Sequence, residues 1–320
     1  VRHIFKPISY LEIQLLSGVS GGYITIRRPS STRLVVFIIS TDRCLTNWEI
    51  TPMNLLNKTV LLTGASGGIG QALARELAHK GARLYLVGRN EKAMSLLKNA
   101  IPHPERHNIA LMRSYSDEEI LGLANSLSQN GGLDILINNA GSSRFALLEQ
   151  QSFDDIREQI RTNIEIPALL TRALLDKMNR PGIVLNIGSI FGEIGHPAWS
   201  VYSATKAATH RFSEALGREL QGSGITVLYA APRATKTTLN SEQVYALNQK
   251  LGNNNDSPIY VASQLARLLE TEQKRYRFGI MERLFVKINA WFPHVVDGAL
   301  AKKLPVIQEF ARKSLKGEHK

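Results

Sequence analysis

Short apolar runs that alternate with helical stretches between residues 54 and 270 constrain this chain more than any other feature. The runs have the length of strands and are apolar nearly throughout; they lie at 60–62, 84–87, 109–112, 135–137, 183–187 and 226–229. Such runs are typical of parallel strands that are covered on both faces. The pattern therefore predicts an α/β fold, a Rossmann-type doubly wound parallel sheet with helices on both faces, which binds ligands at the carboxyl ends of its strands.

The residues outside this pattern form two terminal segments. Residues 1–52 hold scattered glycine, proline, serine and arginine together with two strand-like patches. Two interpretations of this segment stay open: an upstream extension of uncertain order ahead of a start at Met53, or a small folded module. We expect the α/β domain to occupy residues 53–279 and a basic, amphipathic helical extension to occupy residues 280–320.

The C-terminal extension carries apolar residues at helical spacing, and Pro293 ends the first run. These residues are Leu284, Phe285, Ile288, Trp291 and Phe292, followed by Val306, Ile307, Phe310 and Leu315. Basic side chains lie on or near the polar side of the second run: Lys302, Lys303, Arg312, Lys313 and Lys316. Such helices either pack against the body or a neighbouring subunit, or they lie on an acidic membrane surface. The sequence leaves both interpretations open.

Charge and cysteine content exclude several classes of protein. The net charge of +12 is concentrated at the ends of the chain, with 11 Lys or Arg against 4 Asp or Glu in residues 273–320. The α/β body is close to neutral, which argues against a nucleic-acid partner. The single cysteine, Cys44, excludes an intrachain disulfide framework and fits a reducing compartment. We expect a cytoplasmic protein, with association at the cytoplasmic face of a membrane as the alternative.

A glycine-rich loop, TGASGGIG from Thr63, follows the first predicted strand and leads directly into a helix. Gly64 permits a tight turn, Gly68 lets the backbone approach a pyrophosphate, and Gly70 allows close packing of the helix. The exposed N–H groups at the start of the helix can then bind the anion. Because the loop lies between a strand and a helix, it predicts a dinucleotide site.

Two motifs resemble those of the short-chain dehydrogenase/reductase family over roughly residues 54–279. They are the G-x-x-x-G-x-G spacing after Thr63 and the segment Asn138-Asn139-Ala140-Gly141, which follows the strand predicted at 135–137. The resemblance implies a nicotinamide dinucleotide cofactor. The residues expected to bind it are Thr63, Gly64, Ser66, Gly68, Ile69, Gly70, Arg89, Asn139, Ala140, Gly141, Tyr202, Lys206, Pro232 and Thr237.

The form of the cofactor is predicted from Arg89, which follows the second strand. An NAD-selective site places a carboxylate there for the ribose 2′-hydroxyl, whereas an arginine suits a 2′-phosphate. The sequence therefore predicts NADP(H). Ser114 stands where the family often has an aspartate that contacts adenine, and Asp117 lies three residues further on.

Tyr202 and Lys206 are the centre of the candidate catalytic set. Tyr202 lies thirteen residues after Ser189, which closes a predicted strand. A four-residue spacing places Tyr202 and Lys206 on one face of a helix, where the ammonium favours the phenolate and lowers the pKa of the tyrosine. Such a tyrosine is useful for proton transfer near neutral pH.

The family resemblance assigns roles to four catalytic residues. It implies that Tyr202 is the general acid in reduction and the base in oxidation, and that Lys206 also binds the nicotinamide ribose. Ser189 is expected to hydrogen-bond the substrate carbonyl or the developing alkoxide. Asn163 is expected to hold a water that links Lys206 to a proton relay.

Two further features lie near the expected nicotinamide position: an arginine where the family usually has glycine, and a segment expected to close over the substrate. Arg233 replaces the glycine that usually follows Pro232, and we expect it either to crowd the turn or to reach an acidic group of the substrate. Residues 238–257 are expected to form a mobile substrate loop.

These features predict an oxidoreductase that transfers a hydride between NADP(H) and a small-molecule carbonyl or alcohol. The expected substrate is a ketone, an aldehyde or a 3-oxoacyl compound, and the amphipathic tail favours a lipid-derived one. We predict no metal site and, because the family commonly forms dimers and tetramers, a homodimer or homotetramer. The alternatives are a catalytically idle nucleotide-binding regulator and a membrane-surface scaffold that binds through residues 281–320. The intact catalytic set argues against the regulator.

Overall fold

The computed structural model describes residues 12–16, 23–27, 34–36 and 53–318. The chain divides into two compact units, Val1–Thr51 and Pro52–Lys320. In the first unit, three strands pair antiparallel in sequential order: β1 (Glu12–Leu16), β2 (Tyr23–Arg27) and β3 (Leu34–Val36). The last two fall on the strand-like patches of the sequence, whereas Cys44 lies outside the described residues. The choice between an upstream extension and a folded module stays a prediction, as do the other domain boundaries.

A parallel sheet of seven strands forms the centre of the second unit within its described residues. The strands are β4 (Thr59–Thr63), β5 (Arg83–Gly88), β6 (Asn108–Leu111), β7 (Leu133–Asn138), β8 (Met178–Ile187), β9 (Ile225–Ala231) and β10 (Arg275–Arg277). Their order across the sheet is β10-β9-β8-β7-β4-β5-β6, and every neighbouring pair is parallel. The chain reverses its direction of winding between β4 and β7. This arrangement confirms the predicted doubly wound fold and places its crevice at that junction.

Helices cover both faces of this sheet. They are α1 (Gly68–His79), α2 (Glu91–Asn99), α3 (Asp117–Gln129), α4 (Phe153–Ile160), α5 (Ile166–Leu174), α6 (Ser200–Glu219), α7 (Glu242–Lys250) and α8 (Pro258–Thr271). Successive side chains of a strand point to opposite faces. On β4, Val60 and Leu62 therefore pack with α1, α2 and α8, whereas Leu61 packs with α3, α5 and α6. These two apolar layers explain why the strands are apolar nearly throughout.

Two helices follow β10 and form what we call the cap, α9 (Ile280–Trp291) and α10 (Pro293–Glu318). The sequence predicted both helices, but α10 begins at Pro293 and continues past Pro305 instead of starting near Val306. Ile307 and Ala311 are fully buried in a cluster that includes Trp199. The C-terminal half of α10 therefore packs against the body. The side chains of Leu315 and Lys316 lie outside those that the structure describes.

None of the helices in the described ranges combines the length and the apolar character needed to cross a bilayer.

Candidate active site

The glycine-rich loop is built by contact with the loop that follows β7. Gly64 has a φ of +62°, and a Cβ at this position would lie 2.7 Å from the Cα of Ala140. A Cβ on Gly70 would lie 2.2 Å from the carbonyl oxygen of Gly64. Neither backbone has room to retreat, so both positions require glycine. A Cβ on Gly68 would lie 2.7 Å from the side chain of Thr237, which brings the two expected cofactor segments together.

Thr63 and Asn139 join the same two loops by hydrogen bonds. The N–H groups of Asn139 and Ala140 donate to the Thr63 hydroxyl over 2.9 and 3.0 Å. The side-chain amide of Asn139 donates to the carbonyls of Thr63 and Gly64 over 2.9 and 3.2 Å. Thr63 is buried behind the wall of the cleft. It holds the cleft in shape and does not line it.

One continuous cavity of about 1250 Å³ runs along the carboxyl ends of the strands and reaches the cap. This volume exceeds the roughly 300–1,000 Å³ that is usual for one ligand. The cavity therefore has room for a dinucleotide and a substrate. Of the residues predicted for the site, those that line it are Gly64, Ser66, Gly68, Ile69, Gly70, Arg89, Asn139, Ala140, Gly141, Ser189, Tyr202, Lys206, Pro232 and Thr237.

One end of the cavity carries two arginines at the ends of β5 and β6. Arg89 is 66% exposed and lies 3.4 Å from a carboxylate oxygen of Glu158. Arg113 also lines the cavity, together with Ser114. Arg113 was not predicted from the sequence; it follows β6, the strand that pairs with β5. Asp117 begins α3 and is not among the lining residues.

Ser189, Tyr202 and Lys206 meet where β8 ends. Ser189 follows β8, and its hydroxyl accepts the N–H of Phe191 over 3.2 Å. Tyr202 and Lys206 lie one turn apart on α6, and the lysine Nζ is 5.8 Å from the centroid of the tyrosine ring. The Nζ donates to the carbonyl oxygen of Ile187 over 2.9 Å. Three polar groups thus converge on the wall of one cleft.

Burial shifts the titration of both groups on α6. Burial raises the pKa of the Tyr202 hydroxyl, and a hydrogen bond with Ser189 opposes the rise. Burial lowers the pKa of Lys206 to about 8. Both shifts favour the uncharged forms, a neutral phenol and a neutral amine. The sequence predicted that Lys206 lowers the pKa of Tyr202; this was wrong, because burial raises that pKa in the structure.

Asn163 lies behind the cleft on a turn of π-helix, Arg161–Glu165, which joins α4 to α5. Its side-chain amide donates to the carbonyl of Ser142 over 2.8 Å and to the hydroxyl of Thr205 over 2.9 Å. Its side-chain oxygen accepts the N–H of Ser142 over 2.8 Å. The residue is therefore held firmly beside α6. Its expected role with a bound water stays a prediction.

Arg233 is paired inside the protein. Its guanidinium contacts Asp256 over 2.8 and 3.0 Å, and it contacts Glu282 of α9 over 3.2 Å. These two carboxylates raise the pKa of the arginine further above its usual range. Both carboxylate partners of Arg233 come from this chain, and the residue also lines the cavity. Its expected contact with an acidic group of the substrate stays a prediction.

The segment expected to form a mobile loop is partly helical. Residues 242–250 form α7, whose buried Val244 and Leu247 pack against the cap. Ser241 accepts the N–H of Val244 at the start of this helix. The helix was not predicted from the sequence, because Asn and Gln residues outnumber the apolar residues of this segment.

The chain is similar in sequence to short-chain dehydrogenases. A family model described as short chain dehydrogenase matches residues 58–247. The 3-oxoacyl-[acyl-carrier-protein] reductase of Rickettsia bellii is 34% identical over 205 residues, which are 62% of this chain and 83% of that protein. The protein of the same name from Vibrio cholerae is 33% identical over 241 residues, 69% of this chain and 93% of that protein.

Solved structures share the fold. A short-chain dehydrogenase from Streptomyces avermitilis is 30% identical with a TM-score of 0.64, and the match covers 78% of this chain and 97% of that one. One from Burkholderia cenocepacia, in complex with NADP, is 26% identical with a TM-score of 0.64 and coverage of 70% and 96%. One from Burkholderia phymatum, in complex with NAD, has a TM-score of 0.66 at 20% identity, with coverage of 76% and 96%, and supports the fold alone. Because the bound cofactors differ, the fold by itself does not select between them.

The buried Lys206 is expected to lower the stability of the cofactor-free protein at neutral pH. Its pKa is about 8 in the folded chain against an ordinary value of 10.5, so the unfolded chain binds this proton more tightly. The penalty is fully present below about pH 8 and is relieved as the pH rises towards 10.5. Lys206→Met should raise the free energy of unfolding at pH 7 by on the order of 1–3 kcal/mol, with a smaller gain at pH 9.5.

Urea denaturation at both pH values measures this difference. Lys313→Met is the control, since the side chain of Lys313 is 62% exposed. A Lys206→Met protein that is less stable than the wild type at pH 7 would contradict the assignment of a burial penalty.

Proposed function

The chain belongs to the short-chain dehydrogenase family of oxidoreductases, and we propose that it reduces a ketone, aldehyde or 3-oxoacyl group with NADP(H). One observation carries the proposal. The hydroxyls of Ser189 and Tyr202 and the amine of Lys206 converge on the cavity that also runs along the glycine-rich loop. A carbonyl placed there would meet a proton donor and a hydrogen-bond donor together.

The residues of the cleft fit a dinucleotide. The first residues of α1, Gly68, Ile69 and Gly70, line the cavity, and no side chain caps the start of this helix, so its N–H groups suit a pyrophosphate. The first turn of α1 contains no acidic residue that would repel the anion. When bound, the nicotinamide supplies the hydride.

The catalytic side chains would supply the proton and the orientation. The Tyr202 hydroxyl donates its proton to the carbonyl oxygen as negative charge develops there. The Ser189 hydroxyl donates a hydrogen bond to the same oxygen. Lys206, when protonated, stabilises the phenolate that remains. The neutral phenol that burial favours is the form needed for reduction.

The 3-oxoacyl substrate is supported by the relatives in Rickettsia bellii and Vibrio cholerae, which are named as reductases of that class. The apolar residues that line the far end of the cavity support a lipid-derived compound. We also propose a homodimer or homotetramer, as expected from the family resemblance, and a cytoplasmic location, which the single cysteine fits.

Replacing the proton donor separates an enzyme from an idle nucleotide-binding regulator. Tyr202→Phe should lower kcat about 10²- to 10⁴-fold, the usual contribution of general acid catalysis. NADPH binding should stay within threefold, because the ring is kept. Tyr260→Phe, on the exposed part of α8, is the control. The measurements are NADPH absorbance over a carbonyl panel and NADPH titration by fluorescence. Full turnover by Tyr202→Phe would refute the assignment.

Arg89 is proposed to select NADP(H) through the 2′-phosphate. Arg89→Ala should raise the KM for NADPH tenfold or more and leave the KM for NADH nearly unchanged, since NADH lacks that charge. Lys92→Ala, an exposed position on α2 outside the cavity, is the control. Wild-type protein that prefers NADH would overturn the proposal.

Peripheral contact with an anionic membrane through residues 281–320 is proposed from the surface of α9. No residue of this helix is fully buried. Ile280, Leu284 and Trp291 are exposed at helical spacing, beside the exposed Arg283 and Lys287. An apolar row next to basic residues suits an acidic bilayer surface.

Sedimentation with vesicles tests this contact. The wild type should co-sediment with phosphatidylglycerol-containing vesicles, and Trp291→Glu should release it. Phe153→Glu is the matched control, since Phe153 is 78% exposed and Trp291 is 79% exposed. Wild-type protein that stays in the supernatant excludes both the contact and the membrane-surface scaffold.

A further inference from the structure

The Arg233 tether joins the nicotinamide end of the cavity to the cap. We use this name for Arg233 together with its two carboxylate partners, Asp256 and Glu282. Arg233 directly follows Pro232 and precedes Thr237 by four residues, so it lies between two residues that line the cavity. Glu282 lies in the first turn of α9. The tether therefore holds the start of the cap beside the expected site of chemistry.

The tether is built as a fixed contact rather than a loose surface pair. Asp256 is buried, and its two oxygens accept from separate nitrogens of the guanidinium. The backbone of this residue is also fixed, because its N–H donates to Ala234 and its carbonyl accepts from Lys236. A bidentate pair of this kind restrains the arginine in one orientation. Glu282 then restrains α9 through the remaining nitrogen.

The cap forms a wall of the cavity beyond the catalytic residues. Its lining residues are Met281, Glu282, Phe285, Val296, Ala299, Leu300 and Lys303. All but two of these are apolar, and one of the two, Glu282, is paired in the tether. The body lines the same cavity with apolar residues, which are Phe191, Ile194, Trp199, Val244 and Leu251, and with polar ones, which include His196, Asn248, Asn253 and Asn254.

Packing fixes the other end of the cap. Val296 is buried near the start of α10, and Ile307 and Ala311 are fully buried further along it. Ile307 and Ala311 pack with Trp199 and Leu247 of the body. The apolar wall is thus held at both ends, at the tether and at α10. The matched family region ends at residue 247, before the cap begins.

We propose that the tethered cap forms a subsite for the aliphatic tail of the substrate, which is a carbonyl compound with an extended alkyl chain. The assignment of the tail to a carbonyl substrate rests on the proposed function. The cap wall can bury methylene groups of the substrate and has few polar side chains that could bind a polar group of the tail. It therefore selects substrates by the length of their alkyl chain. Arg233 and Glu282 act as positioning residues, since they hold the wall and do not touch the reacting atoms.

Binding of 2-alkanones of graded length measures the subsite without relying on turnover. The probes are 2-pentanone, 2-heptanone, 2-nonanone and 2-undecanone, titrated by calorimetry into Tyr202→Phe protein saturated with NADP⁺. The dissociation constant should fall two- to fourfold for each added methylene. The upper figure corresponds to about 0.8 kcal/mol for a fully buried group.

A variant that fills the wall locates the subsite. Ala299 lines the cavity and is exposed, so a larger side chain fits without disturbing the core. Ala299→Trp should weaken binding of 2-undecanone tenfold or more and leave 2-pentanone within twofold. Ala290→Trp, exposed on α9 and outside the cavity, is the matched control and should change neither. Equal effects of the two tryptophans would reject the location.

Weakening the pair between Arg233 and Glu282 tests whether the tether positions the cap. Glu282→Gln removes one charge from the pair with Arg233 and leaves the bidentate pair with Asp256 intact. Binding of 2-undecanone should weaken at least threefold, with unchanged affinity for NADP⁺ and for 2-pentanone. In wild-type background the KM for long ketones should rise while kcat stays constant. Unchanged long-chain binding would show that the tether does not position the wall.

The subsite and the proposed function fail in different ways. A dissociation constant that does not depend on chain length overturns the subsite, whether or not the wild type reduces ketones. If binding depends on chain length and Ala299→Trp removes that dependence, the subsite is supported even when the wild type reduces no carbonyl. Absence of turnover on every carbonyl tested would reject the proposed reductase activity and leave the subsite standing.

Discussion

The junction between the carboxyl ends of β4 and β7 is the constraint on which the cleft depends. In a doubly wound sheet the chain leaves these neighbouring strands in opposite directions, and a crevice opens between them. The Thr63 hydroxyl binds two backbone N–H groups from the far side of that crevice. Gly64 lies so close to Ala140 that no side chain fits between them. The shape of the expected pyrophosphate site is therefore set by backbone contact before any ligand binds.

Burial connects this framework to the chemistry of the catalytic groups. Tyr202 and Lys206 lie on α6, which packs against β8 and β9, and the position of that helix buries Lys206 and half-buries Tyr202. A phenol that keeps its proton is the donor that reduction requires. The amine is held by the carbonyl of Ile187, at the end of the strand that leads to Ser189. The same contacts that order the sheet thus place the candidate proton donor.

Arg233, in the turn after β9, has a structural role, because it connects the body to the cap. An arginine after Pro232 suggests either a crowded turn or a free cation at the substrate end. Asp256 and Glu282 come from segments 23 and 49 residues further along the chain, and they neutralise it. Arg233 therefore joins three segments of the chain, and the residues of the cap that line the cavity are mainly apolar. We infer that substrate selection depends on this wall.

The sequence by itself determined the fold class, the glycine-rich loop and the spacing of Ser189, Tyr202 and Lys206, because these depend on local periodicity and on short separations along the chain. It did not predict β10, whose three residues carry no strand pattern and are ordered by pairing with β9. It also missed Arg113 at the cleft, the helix α7 and the partners of Arg233. These features were decided only by the tertiary structure, because each requires groups far apart in sequence to meet in space.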